Sequence, residues 1–218
     1  MRILIILFSI FIVSFTGCKK NNCTCSAIKT ITLQPGPTGG NDVTANFHEG
    51  NPASANSNGN ALPELAIYEW TNSGANVEGK GYISFDLSEI PSGSAITSAK
   101  LYLYGPTSSG WLPQGNQGEN EFLVQRVLSA WNQQTLTFNN APAITENNQV
   151  LVPAVTTTWN ADVTISVTSL VQDMIDEGKP YGFCLSMFTK SPYRSVVFST
   201  SEAADAVKRP KLVVTYLH

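Results

Sequence analysis

The chain has 218 residues, room for one large domain or two small ones, and its 42% hydrophobic content is enough for a sizeable core. Charged residues make up only 13% and the formal net charge is −3, with no basic stripe beyond Lys208, Arg209 and Lys211, which argues against a nucleic-acid partner. Asn, Thr, Ser and Gly replace the missing charge, a balance that suits secreted β-structure rather than a cytosolic enzyme.

The first element is a leader. "MRILIILFSIFIVSFTGC" has one Arg, an apolar run from Ile3 to Phe15, and Thr16-Gly17 before Cys18. A positive start, a short apolar stretch and small residues before a cut make a secretory signal. The run is too short for a membrane span, which needs about 20 apolar residues. The small pair before Cys18 resembles a lipoprotein signal, so residues 1–17 are expected to be removed and Cys18 to carry lipid. Phe15 departs from the Leu more common there. Residues 18–27 read as a polar tether. Cys23 and Cys25 lie in it without a nearby His, so they lack zinc spacing. With Cys18 lipidated, three Cys remain, and Cys184 sits in an apolar strand pattern as a small buried hydrophobe.

From Ile28 to His218 short alternating runs are separated by Gly, Pro, Asn and Ser clusters, the pattern of an all-β domain. "IKTITLQP" alternates. "DVTANFHEG" puts Val43, Ala45 and Phe47 on one face and His48 on the other. "NPASANSNGNALP" is a long polar loop. "ELAIYEW" and "KGYISFDLS" are strands, "EIPSGSAI" a turn, and "TSAKLYLYG" a strand with Leu101 and Leu103 on one face, Tyr102 and Tyr104 on the other. "PTSSGWLPQGNQGEN" is a second long loop before the strand "EFLVQRVL". One helix is expected: Val167, Leu170, Val171, Met174 and Ile175 form a single stripe, Thr168 is placed to cap its start, and Gly178 and Pro180 stop it. "YGFCLSMF", "SVVFST" and "KLVVTY" follow. Ten to twelve strands and one helix predict two antiparallel sheets packed face to face, a jelly-roll-like β-sandwich.

Four segments carry a resemblance. "YISFDLSEIPSGSAITSAKLYLYG", "VLSAWNQQTLTFNNAP", "VTSLVQDMIDEGKPYGFCL" and "VVFSTSEAADAVKRPKLVVTY" resemble, in the same order, the conserved stretches of the DNRLRE domain, carbohydrate-binding module family 96. Two departures stand out. Lys80, Tyr82 and Ser84 occupy the approach to FDLS where the family often has Arg, and Ser166 stands where it tends to have Asp, with Asp162 four residues earlier. The resemblance implies a β-sandwich module on a secreted or surface protein, with a polysaccharide, in one branch an acidic one, as ligand.

Little in the sequence looks catalytic. His48 and His218 are the only His residues, and no G-x-S-x-G elbow surrounds a Ser. Glu64 and Glu69 flank one strand, and Asp173, Asp176 and Glu177 fall on the polar side of the helix, where solvation is the plain explanation. No enzyme activity is expected. Sugar binding needs flat aromatic rings beside amides, and loops on a rigid scaffold are where such groups concentrate. Trp111 with Gln114, Asn116 and Gln117 forms the first candidate platform; Trp70 with Tyr68 and Asn72 forms the second. Trp131 is expected in the core, and Trp159 fits either setting. For an acidic ligand, Lys190, Arg194, Lys208 and Arg209 are the cations on offer. No cofactor or metal is expected; Asp42, Asp86 and Asp162 are the acids nearest to a structural calcium set, and no contiguous calcium loop is present. The expectation is a non-catalytic, carbohydrate-binding outer-membrane lipoprotein of the cell envelope, facing the periplasm or the exterior. A structural or adhesive protein that binds another protein is the alternative.

Overall fold

The computed structural model describes residues 27–59 and 62–218. The leader, Cys18, Cys23, Cys25 and all of the tether but Ala27 lie outside the described residues. In chain order the elements are β1 (Ile28–Leu33), β2 (Asn41–His48), β3 (Glu64–Asn72), β4 (Ala75–Ser84), β5 (Ala95–Leu103), β6 (Phe122–Val127), β7 (Ile144–Val152), β8 (Val163–Ser166), α1 (Thr168–Glu177), β9 (Phe183–Met187), β10 (Arg194–Ser199) and β11 (Lys211–Leu217). They build two antiparallel sheets. The smaller runs β1-β11-β5-β8; the larger runs β10-β3-β4-β9-β6-β7, with β2 also paired to β4. The expected β-sandwich is what forms.

Strand alternation explains the layering, because a period of two sends every second side chain inward. Leu101 and Leu103 of β5 and Leu212 and Val214 of β11 meet Leu65, Ile67, Phe122, Phe183, Leu185 and Phe198 of the larger sheet in one buried core. Each such side chain contributes about 1.5–3 kcal/mol by leaving water. The stripe on α1 joins the same core through Leu170, Val171, Met174 and Ile175. Gly178 closes the helix in the left-handed region at φ 63°, its N–H bonding the Ile175 carbonyl. Thr168 does not cap the helix. Val167 holds the cap position, and the Thr168 hydroxyl instead accepts the Ala99 N–H at 3.0 Å, which stitches the helix start onto β5.

Strand β7 carried no alternation to read. Among the described residues it pairs only with β6, and five of its nine residues are exposed. An outer strand of this kind tolerates polar residues on both faces.

Two further clusters form outside the core. Val43, Ala45, Tyr82, Val127, Leu136 and Cys184 are buried together, with Trp131 packed against them and its indole N–H donating to the Tyr181 carbonyl at 2.7 Å. Ala66, Tyr68, Leu112 and Val197 form the other, flanked by Trp70, Val77 and Trp159.

Gly79 and Gly81 let β3 lie close against β4. A Cβ at residue 79 would come within 2.2 Å of the Tyr68 ring, and one at residue 81 within 3.0 Å of the Leu65 side chain. Thr44 of β2 holds the same crossing, its hydroxyl accepting the Ala66 N–H at 2.9 Å and donating to the Ala66 carbonyl at 3.2 Å. A Gly79→Ala change should therefore cost about 1–3 kcal/mol through overpacking, seen as a lower melting temperature. Gly110→Ala, with no heavy atom within 4 Å of its added Cβ, should melt as the parent does.

Asp42, at the start of β2, is buried with its carboxylate accepting the Ser201 N–H at 3.0 Å. Burial, and then the nearby Glu202 charge, push it up to about 7 against the pull of the Ser201 N–H. The folded chain thus keeps a proton that the unfolded chain gives up at the ordinary 3.8. More protons on the folded state mean stability is full below that value and is lost as pH rises towards 7. Melting curves from about pH 4 to about pH 8 should show this decline, and Asp42→Asn should flatten it and raise stability at the alkaline end. A parent profile that rises over the same range would reject the assignment.

Candidate functional site

Strand register assembles the floor of a groove from residues far apart in sequence. Tyr68 and Asn46 both pair with Gly79, and Trp70 and His48 both pair with Val77. Directly paired residues of antiparallel strands share a face. Two rows result: Asn46, Gly79, Tyr68 and, beside it, His48, Val77, Trp70. Thr71 and Asn72 extend the floor, and Trp111, Leu112, Pro113 and Gln114 form the wall of an open groove of about 540 Å³.

The wall is pinned to the floor. Glu64, at the start of β3, accepts the Gly110 N–H at 2.9 Å and the Trp111 N–H at 3.3 Å, and also takes a hydrogen bond from the Ser109 hydroxyl. Ser109 in turn accepts the Leu112 N–H at 2.7 Å, and Leu112 is buried against Tyr68. Trp111 is 44% exposed and lines the groove beside Tyr68. Burial pushes the Tyr68 phenol up to about 12, with nearby Trp111 pulling the other way. The hydroxyl is therefore a neutral hydrogen-bonding group at physiological pH.

The two platforms expected from sequence are one site. Trp111, Gln114, Trp70, Tyr68 and Asn72 all line the groove. Asn116 and Gln117 do other work. Asn116 is 5% exposed, donating to the Thr157 carbonyl at 2.9 Å and accepting the Val197 N–H at 2.9 Å. Gln117 bridges Ser195 through its backbone, and its side chain donates to the Gln114 carbonyl at 3.0 Å. Both stitch the loop to the sheet rather than lining the groove.

Six groove residues were missed: Thr71, Leu112 and Pro113, which adjoin named positions, and Asn46, His48 and Val77, which do not. Asn46 and His48 share a strand face that alternation had already set apart from Val43 and Phe47, but the sequence does not say which β2 face stays open. Val77 lies outside the expected "KGYISFDLS", because β4 begins at Ala75. His48 Nε2 is shielded from solvent and has no hydrogen-bond partner among the described residues. Tyr193, held at φ 68°, is 60% exposed and meets Trp70 edge-on, ring centroids 5.2 Å apart.

Charge collects on the opposite face of the same strands. Glu69, Glu78 and Phe47 pair in the alternate register and line a second groove with Glu49, Asn76, Lys190 and Pro192, Trp70 bordering both. Lys190 Nζ lies 2.6 Å from both Glu69 and Glu78. Burial raises Glu69 despite that contact, whereas at Glu78 burial is outweighed by Lys190 and Lys80 together, leaving it lowered. The other cations expected to meet an acidic ligand are also engaged. Lys208 pairs with Asp162 at 3.1 Å, Arg194 with Glu119 at 3.2 Å, and Arg209 Nε donates to the Ala203 carbonyl at 3.0 Å.

The carboxylates weighed for catalysis hold structural partners as well. Glu64 pins the loop, and Glu177 and Asp173 face Arg126 at 2.6 and 3.9 Å. Among the described residues no three His, Cys, Asp or Glu side chains gather as a metal site, and Asp42, Asp86 and Asp162 do not come together.

An aromatic-walled, amide-lined groove on a β-sandwich agrees with the comparison to known families, in which residues 50–216 match carbohydrate-binding module family 96. The chain belongs to that family. No curated protein matches it. Within this carbohydrate-binding family member, β1 and β2 precede the matched span yet pair with β11 and β4, and β2 supplies Asn46 and His48 to the groove.

If Glu64 fixes the wall, Glu64→Ala should raise amide hydrogen exchange at Gly110 and Trp111 by about tenfold, a loss of roughly 1.4 kcal/mol of local protection, and leave the β9 amides unchanged. Equal protection in the variant would remove Glu64 from this role.

Proposed function

We propose that this family member is a lipid-tethered protein of the cell envelope, held at the outer membrane through Cys18, that binds a glycan without cleaving it. The observation that carries the binding reading is the convergence of Trp111 and Trp70, from separate loop and strand segments, on one groove with Tyr68, Asn72 and Gln114. Indole faces stack on the apolar side of a pyranose ring, and amides and hydroxyls meet its hydroxyl groups. The tether reading is supported by the sequence "SFTGC" behind an apolar run, with a polar segment between Cys18 and β1. The non-catalytic reading is supported by the structural engagement of Glu64, Glu69, Asp173 and Glu177. The four cations expected from sequence to meet a uronate lie outside the groove, so an acidic ligand draws no support from its lining.

Affinity-gel retardation against a polysaccharide panel tests the site. An aromatic face contributes about 0.5–1.5 kcal/mol beyond the area it buries, so Trp111→Ala and Trp70→Ala should each weaken binding roughly tenfold or more. Phe188→Ala, which removes an exposed ring away from the groove, should change nothing. Retention that survives both Trp changes would place the ligand elsewhere. For the anchor, Cys18→Ser should move the protein from the membrane fraction to the soluble fraction and abolish acyl labelling; membrane retention in that variant would end the lipid assignment.

A further inference from the structure

Resting on the glycan-binding reading of this groove, we infer that it selects a neutral polysaccharide and rejects uronate or sulfated ones. The eleven residues that line it include amide, hydroxyl, imidazole, indole and aliphatic groups, and no Lys, Arg, Asp or Glu. A carboxylate drawn against Trp111 or Trp70 would lose water without gaining a cation, and an anion desolvated without a partner is strongly disfavoured.

The surrounding cations are already engaged. On the reverse face Lys190 and Lys80 pair with Glu69 and Glu78, and Arg194, the register partner of Glu69, pairs with Glu119. That face and the groove share Trp70. Lys190 is held by Glu69 and Glu78 at 2.6 Å, so turning towards an anionic ligand would break both contacts and leave Glu78 with Lys80 alone.

What the groove does offer suits hydroxyl groups. Asn72 and Gln114 supply amides, and Thr71 a hydroxyl whose contact with Tyr193 is long, at 3.4 Å. His48 lines the groove as well, but its Nε2 is shielded from solvent, so the polar side chains within a ligand's reach are those of Asn72, Gln114 and Thr71.

Affinity gels with polymers that differ in charge alone separate the possibilities. Polygalacturonate and its fully methyl-esterified form share a backbone; alginate, β-1,3-glucan and β-1,4-mannan extend the set. The inference expects retention by at least one neutral polymer, lost in Trp111→Ala, unchanged between low and high salt, and at least about tenfold stronger than retention by any uronate polymer. Asn72→Lys, a change at an exposed position, should increase polygalacturonate retention at least about tenfold by adding the missing cation. Uronate retention by the parent protein that disappears in Trp111→Ala would overturn the neutral preference while leaving the groove a glycan site. Retention by no polymer, or retention indifferent to both Trp111→Ala and Trp70→Ala, would overturn the site reading and this inference together.

Discussion

The missing side chain at residue 79 sets the geometry on which the groove depends. Tyr68 rests in the space that a Cβ would occupy, which lets β3 lie against β4 while Thr44 satisfies both backbone groups of Ala66. Close approach brings Asn46, His48 and Val77 level with Tyr68 and Trp70. The buried Tyr68 ring then packs against Leu112, the residue next to Trp111. Without that contact between glycine and ring, the three strands would spread and the floor would lose its depth. Packing of this kind is unforgiving, because interiors have no spare volume to absorb a methyl group.

Much of this was legible in the sequence. Alternating runs gave the sandwich, the 3-4 spacing gave α1, and Gly178 marked its end. Trp111 stood out as a bulky ring in a loop without periodicity, and Trp70 as one at a strand end beside a polar turn. That the two share a groove was hidden, because it follows from strand pairings 7 to 33 residues apart and from Glu64 holding a loop 46 residues further on. The amides beside Trp111 show the opposite limit. Gln114 reaches the groove while Asn116, two residues on, is consumed by Thr157 and Val197. Adjacency in a loop does not reveal which side chains turn inward to satisfy the sheet. A buried loop needs partners for its own polar groups, and Asn is well suited to bridge two backbones at once.

Charge was the least legible property. Lys190, Arg194, Lys208 and Arg209 look available when counted along the chain, yet folding gives each an acidic or carbonyl partner. The same three strands carry an uncharged face and a charged face, produced by a one-residue change of parity. Glu69 and Trp70 are neighbours in sequence and point to opposite environments. A strand's period of two thus sorts chemistry more sharply than composition does.

Glu64 and Trp70 belong to one strand, so the strand that supplies the floor also holds the wall. Such a cavity is shaped before any sugar arrives. Little side-chain or loop freedom remains to be surrendered on contact, which spares the entropic penalty that weakens pliable receptors. Capture of a carbohydrate chain would then be governed by how fast rings and polymer meet.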